Sequence, residues 1–323
     1  MEGHPLRRKL SMTLLGSSNP EPFPSFLKEE ASFHALGSVW NVSVRRPKEV
    51  FQHRLESAFF EVRRFLEKFE SRFSRFVDGS EVNAFRSAKS GRYRVSDDFL
   101  ELLKRSERIR NLTEGAFDVG MSGGLLERAG YGRLEPIMRA DEAAGMNPHY
   151  WSLEGGNLLA ISGPISFDFG GIGKGYAIDR ASRLLTNFGF PRHLIEGGGD
   201  VYATSTEADT AYRAAIEWPG RPGMAVGMAE LYFRSLAVSD VFKRRWGSWH
   251  HLVDVRSGFP IRSVVGCAVL APTAFDADSA TSALCFGGAD RYRDISREFG
   301  AQFILFFEDG RIEVSSDWEG ELF

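Results

Sequence analysis

The sequence predicts an α+β fold in one composite domain, because strand and helix patterns mix without strict β–α–β alternation. We find no internal repeat and no clean linker along the 323 residues, so residues 33–323 are predicted to form one unit with mixed sheets and flanking helices. Residues 1–32 are predicted to be a poorly ordered tail, because Ser and Asn separate several prolines there. These prolines are Pro5, Pro20, Pro22 and Pro24.

The first half of the domain shows one strand and two helices. Polar and apolar residues alternate over residues 38–44, which predicts a strand. Pro47 suits the first turn of a helix, and an apolar stripe follows it from Val50 to Phe69. A second helix is predicted from Ser96, a suitable N-cap, to Ile109.

The second half is richer in strands. Asp309-Gly310 between two apolar runs predicts a hairpin. A helix is predicted over residues 289–299. The predicted strands are residues 193–195, 231–233, 264–271, 303–307 and 311–315.

The most informative segment covers residues 165–189. Ile165, Phe167 and Phe169 alternate with polar residues as in a half-buried strand, and a helical pattern follows that Gly189 closes. Between them stand four glycines and Lys174; the glycines are Gly170, Gly171, Gly173 and Gly175. Such glycines let the backbone approach a ligand, and the helix start offers N–H groups to an anion. The spacing fits neither a Walker A nor a Rossmann loop, so a tight turn remains the alternative.

Composition describes an ordinary globular protein, with 43% hydrophobic and 26% charged residues. The net charge of −3 argues against a nucleic-acid partner, and the basic clusters at 45–48 and 243–245 are interpreted as solvated surface. Cys267 and Cys285 are predicted to be buried free thiols rather than a disulfide or a metal pair. The apolar stretch at 10–15 is too short for a signal peptide, and no run is long enough to span a membrane, so a cytoplasmic protein is expected.

Six segments, in order, carry a family resemblance. The glycine segment (residues 170–175) with its flanks, Phe167 to Arg180, resembles the signature of the ApbE family, the FAD:protein FMN transferases, in which a similar sequence cradles FAD. Each of the other motifs is weak alone, but the ordered set covers roughly residues 33–318. These motifs are Ala35-Leu36-Gly37-Ser38, residues 113–118, Gly197-Gly198-Gly199-Asp200, residues 251–260 and residues 277–284.

The resemblance implies a T-fold-like domain that binds FAD and Mg²⁺. It places the metal on Asp278, Thr281, Ser282 and the carbonyl of Gly173, a set of oxygen ligands that suits Mg²⁺. From spacing alone, Asp278 would instead cap its own helix, with both hydroxyls half-exposed. The resemblance also implies which residues line the cofactor: Leu36, Phe76, Ala116, Phe117, Asp118, Gly170, Gly171, Tyr176 and Val253. The alternative for Phe76 and Phe117 is a place in the core.

His251 is the predicted general base, because imidazole titrates near neutral pH and can accept a hydroxyl proton. Asp254 would either orient the imidazole ring or stabilise the following turn, and His250 would point the opposite way in a strand. Lys174 would help to neutralise the pyrophosphate. The implied reaction moves FMN from FAD to a Ser or Thr hydroxyl of an acceptor flavoprotein and releases AMP.

The chain also departs from the family pattern. The family's Thr-Ser-Gly-x-Tyr is here residues 238–242, Val-Ser-Asp-Val-Phe, the opening Met is Leu36, and the metal-binding Thr is Ser282. Two alternatives stay open: the same site could use water and hydrolyse FAD to FMN and AMP, or, given the altered residues 238–242, the protein could bind FAD without chemistry.

Overall fold

The structure is a computed structural model that describes residues 26–47, 52–131, 151–205 and 210–323. Residues 1–25 of the predicted tail, and Val50 and Phe51 of the predicted stripe, lie outside these ranges. The helices are α1 (Gln52–Phe73), α2 (Asp97–Leu112), α3 (Val119–Arg128), α4 (Gly173–Asn187), α5 (Ala274–Phe286) and α6 (Tyr292–Phe299). A short 3₁₀ helix covers Asn83–Ser87.

The strands are β1 (Phe26–Ala35), β2 (Ser38–Pro47), β3 (Gly91–Arg94), β4 (Trp151–Glu154), β5 (Leu158–Ile161), β6 (His193–Gly197), β7 (Asp200–Ala203), β8 (Tyr212–Glu217), β9 (Ala225–Leu231), β10 (Arg234–Asp240), β11 (Arg245–Trp246), β12 (Trp249–His250), β13 (Val253–Asp254), β14 (Phe259–Pro260), β15 (Val264–Ala271), β16 (Gln302–Phe307), β17 (Ile312–Val314) and β18 (Glu321–Leu322).

An eight-stranded antiparallel sheet in the order β1-β2-β6-β7-β10-β15-β16-β17 forms the centre. Helices α4 and α5 cover one face, and a three-stranded sheet, β18-β9-β8, covers the other. Successive residues of β15 face opposite sides of the sheet and contact these two layers in turn. Cys267 and Val269 join the core under the helices, whereas Ala268 and Leu270 join the core under the small sheet. The predicted α+β class is confirmed.

Several local predictions are confirmed because local chemistry specifies them. The Ser96 side chain accepts a hydrogen bond from the Phe99 N–H and caps α2. Gly189, with φ +85°, follows the end of α4, and β16 and β17 form the predicted hairpin around residues 309–310. Both cysteines are buried free thiols.

Other predictions are wrong where tertiary pairing outweighs local pattern. Residues 26–32 belong to β1 rather than to a tail, and Pro47 ends β2 opposite Phe26 instead of starting a helix. Residues 231–233 contain the turn between β9 and β10, where Phe233 has φ +49°. Residues 165–169 show the predicted alternation of burial but join no sheet. Arg46, interpreted as surface, is buried, and its guanidinium binds Glu29 at 2.8 Å.

Within the described ranges, no helix is both long and apolar enough to cross a membrane.

Candidate active site

A mainly apolar cavity of about 450 Å³ lies between α1, the glycine segment, α3 and the hairpins formed by β11–β14. This volume is in the range of small-molecule sites. Most of the residues predicted for the site line this cavity. They are Leu36, Phe76, Phe117, Asp118, Gly170, Gly171, Gly173, Lys174, His251, Val253 and Ser282.

Two residues predicted to line the cofactor lie in the core instead. The Tyr176 hydroxyl donates to Asp98 Oδ1 at 2.7 Å, and its ring packs on Phe69 with 5.7 Å between ring centroids. Ala116 is fully buried, and its carbonyl accepts from the Val255 N–H at 3.1 Å. Neither side chain lines the cavity, so the structure gives both residues a packing role.

Phe76 and Phe117, for which the sequence left a cofactor-lining or a core position open, both line the cavity. Phe76 is 66% exposed, which excludes the core, and the Arg75 guanidinium lies 4.2 Å from its ring centroid. Phe117 is buried but reaches the cavity. Asp118 caps α3, since its Oδ1 accepts from the Gly120 N–H at 2.7 Å.

The glycine segment packs tightly against α5. A Cβ on Gly175 would lie 2.2 Å from the Ala274 carbonyl oxygen, and one on Gly171 would lie 2.9 Å from Ser282 Oγ. Part of the expected anion site is already used by the protein. The Gly173 N–H donates to the Phe169 carbonyl at 2.8 Å, and the Gly175 N–H donates to Asp278 Oδ2 at 2.8 Å. These two N–H groups are therefore not free to bind a phosphate.

Asp278 belongs to a buried charge cluster that the sequence did not predict. The Lys174 ammonium binds Asp200 Oδ2 and lies 3.6 Å from Asp278 Oδ1. Asp200 is 1% exposed and Asp278 is 2% exposed. Burial acts to lower the pKa of Lys174, but Asp200 and Asp278 together raise it above its ordinary value. One ammonium cannot compensate two carboxylates, so burial, with Asp200 adding, raises the pKa of Asp278 despite Lys174.

Oxygen atoms of α5 and the glycine segment meet beside this cluster. Ser282 Oγ donates to the Gly171 carbonyl at 2.7 Å, so the carbonyl bonded to this hydroxyl is that of Gly171 and not that of Gly173, the predicted ligand. Thr281 Oγ1 donates to the Asp278 carbonyl at 2.8 Å. Thr273 caps α5, whereas Asp278 caps the start of α4, and both hydroxyls are buried. The alternative of a self-capping Asp278 with half-exposed hydroxyls is therefore wrong.

These oxygens fit Mg²⁺ in kind, because carboxylate, hydroxyl and carbonyl oxygens are hard ligands. Among the described residues, no group of three or more His, Cys, Asp or Glu side chains is arranged to hold a metal. A cation bound at Asp278 would therefore rely on neutral oxygens and on phosphate oxygens of a ligand.

His251 also lines the cavity. Burial, together with the charge of Arg244, lowers the pKa of His251 to about 3, so the expected titration near neutral pH is not what the structure supports. The ring is neutral at physiological pH, and no described residue bonds its Nδ1. His250 points away as predicted, with Nε2 2.9 Å from the Ile261 carbonyl. Asp254 stabilises the turn, since it accepts from the Arg256 N–H at 2.9 Å.

Two residues at the site were missed, and each carried a signal. Asp200 ends the glycine motif at 197–200, which supported the family resemblance, but no residue of this motif was assigned to the predicted site. Arg244 lies in the basic cluster interpreted as surface, but it is partly buried and lines the cavity. A basic run next to a candidate catalytic histidine is a reason to expect an anion site.

The fold and the cavity together define a class of α+β ligand-binding proteins with known structural relatives. The solved structure named "Flavin Transferase ApbE from Vibrio cholerae" matches with a TM-score of 0.78 at 23% identity, covering 90% of this chain and 98% of that one. A sequence profile of the ApbE family matches residues 36–305. The chain belongs to the ApbE family.

Two relatives carry the name FAD:protein FMN transferase. The Vibrio cholerae protein is 26% identical over 87% of this chain and 88% of its own length. The Rhodobacter capsulatus protein is 25% identical over 71% of this chain, and the match spans only 46% of that longer relative.

Proposed function

We propose that this protein is an FAD:protein FMN transferase. It cleaves the pyrophosphate of FAD, releases AMP and joins FMN through a phosphoester to a Ser or Thr hydroxyl of an acceptor flavoprotein. The observation that carries the proposal is one cavity that combines aromatic walls, a neutral imidazole, and Lys174, the member of the buried charge cluster that reaches the cavity at a helix start.

The bonds that change can be assigned to residues of this chain. His251 accepts the proton of the acceptor hydroxyl, whose oxygen then attacks the phosphorus on the FMN side of the pyrophosphate. The bond from this phosphorus to the bridging oxygen breaks, and AMP leaves with that oxygen. Because His251 is already neutral, no proton has to be lost before it can act.

Asp278, Thr281, Ser282 and the Gly171 carbonyl are proposed to hold Mg²⁺, which when bound supplies positive charge to the pyrophosphate. Lys174 binds Asp200 and lies 3.6 Å from Asp278, so it offsets part of their negative charge when no metal is bound. The proposed flavin contacts are the cavity walls at Leu36, Phe76, Phe117 and Val253.

One incubation tests the reaction class. The protein is mixed with FAD and Mg²⁺, with and without a flavin-accepting domain, and AMP, FMN and labelled protein are measured. AMP with labelled acceptor supports the transferase, AMP with free FMN indicates a hydrolase, and intact bound FAD indicates a binding protein.

The Asp278→Asn variant tests the proposed metal site, because it keeps the shape of the side chain and removes its charge. It should lose Mg²⁺-dependent AMP release, while the melting temperature of the FAD-free protein changes little. Unchanged AMP release would remove Asp278 from the metal site.

A further inference from the structure

Arg244 differs from the other cations that line the cavity. The Lys174 ammonium binds Asp200, and Arg75 Nε lies 2.9 Å from Asp168 Oδ2. Within the described ranges, no carboxylate lies within ion-pair distance of the Arg244 guanidinium. A partly buried guanidinium beside apolar walls is costly without an anion, so this side chain is a candidate for binding one.

The hairpin fixes Arg244 beside the proposed base. Strands β11 and β12 pair Arg245 with His250, and the His251 N–H donates to the Arg244 carbonyl at 3.3 Å. Side chains alternate across this pair. Arg244 and His251 line the 450 Å³ cavity of the candidate active site, whereas Arg245 and His250 line a second cavity.

We propose that the Arg244 guanidinium binds the pyrophosphate of FAD, on the phosphate that the acceptor hydroxyl attacks. This inference rests on the proposed function. A guanidinium presents a planar fork that matches two oxygens of one phosphate, which the Lys174 ammonium, held between two carboxylates, does not. The phosphate beside His251 is the one that receives the deprotonated oxygen, so Arg244 offsets the negative charge that grows there.

The charge of Arg244 also acts on its neighbour. Arg244 contributes to the low pKa of His251, and a bound phosphate would offset that contribution. Substrate binding would then make the imidazole a better proton acceptor only when FAD is present.

The test compares Arg244→Gln with Arg245→Gln, a matched control that removes the same charge from the adjacent residue facing the second cavity. Binding of FAD, riboflavin and inorganic pyrophosphate is measured by titration. Arg244→Gln should weaken FAD and pyrophosphate binding roughly 10–100-fold, as expected for a lost charge-assisted hydrogen bond, and leave riboflavin binding unchanged. Arg245→Gln should leave all three unchanged, and Arg244→Lys should restore only part of the loss.

Equal FAD binding by Arg244→Gln and the wild type would overturn the inference, as would an equal loss of riboflavin binding, which would mark a structural role. Failure of the transferase proposal looks different: FAD binding would depend on Arg244 while no AMP or labelled acceptor formed. A wild-type protein that bound neither FAD nor pyrophosphate would overturn both.

Discussion

Replacing Lys174 by Met should strongly destabilise the protein. The substitution keeps the length of the side chain and removes the ammonium that lies between Asp200 and Asp278. Both carboxylates are almost fully buried, so water cannot replace the lost charge. Breaking a buried pair by removing one partner costs about 3–5 kcal/mol, and we expect the free energy of unfolding to fall by that amount.

Urea denaturation followed by tryptophan fluorescence, in EDTA, measures this loss as a lower midpoint at an unchanged slope. Lys243→Met is the control, because Lys243 is 56% exposed and its 3.3 Å pair with Glu217 lies at the surface. Surface pairs of this kind contribute about 0–1 kcal/mol. Asp240, 3.4 Å from the same ammonium, is buried but also accepts from the backbone N–H groups of Phe242 and Lys243. Adding Asp200→Asn to Lys174→Met should recover much of the stability, since one unpaired charge is then gone.

The pH dependence of the Lys174→Met variant follows from the same cluster. Burial raises the pKa of Asp278 in the folded state above its unfolded value, and without the opposing ammonium this pKa rises further, so the folded state binds more protons. The variant should therefore lose stability as pH rises, and its difference from the wild type should grow. If the free energy of unfolding of Lys174→Met lay within about 1 kcal/mol of the wild-type value, well below the cost of breaking a buried pair, this account of the cluster would be refuted.

Three further outcomes are expected. His251→Ala should lower the transfer rate roughly 10²–10⁴-fold with FAD affinity nearly intact, and a collapse of affinity instead would make His251 a binding residue. Gly171→Val should lower the melting temperature of the FAD-free protein, because its Cβ would lie 2.9 Å from Ser282 Oγ; a variant that melts early but binds FAD normally would exclude a cradle role. Burial lowers the pKa of His193 from 6.5 to about 4, so its stabilising contribution is present above pH 6.5 and is lost as pH falls toward 4. On acidification the free energy of unfolding should therefore fall less in His193→Gln than in the wild type, by up to about 3 kcal/mol. Urea denaturation at pH 7 and pH 4.5 measures this difference.

The local predictions that succeeded depend on short-range chemistry. Ser96 caps α2 with its own side chain, and residues 309–310 close a hairpin between adjacent strands. The predictions that failed depend on pairing partners elsewhere in the chain. Residues 26–32 form a strand because β2 pairs with them. The apolar segment 231–233 contains a turn because β10, which follows it at once, pairs with β7 and β15.

Family membership, the α+β class and the ordered motifs were determined by the sequence itself, because glycine spacing, caps and hydrophobic alternation are local and are read along the chain. The predicted cytoplasmic location and acceptor protein stay predictions. The tertiary structure alone decided which charges meet: Lys174 lies between Asp200 and Asp278, and Arg244 lies beside His251. The pKa of a side chain depends on burial and on neighbours distant in sequence, so the low pKa of His251 beside Arg244 arises only when the chain is folded.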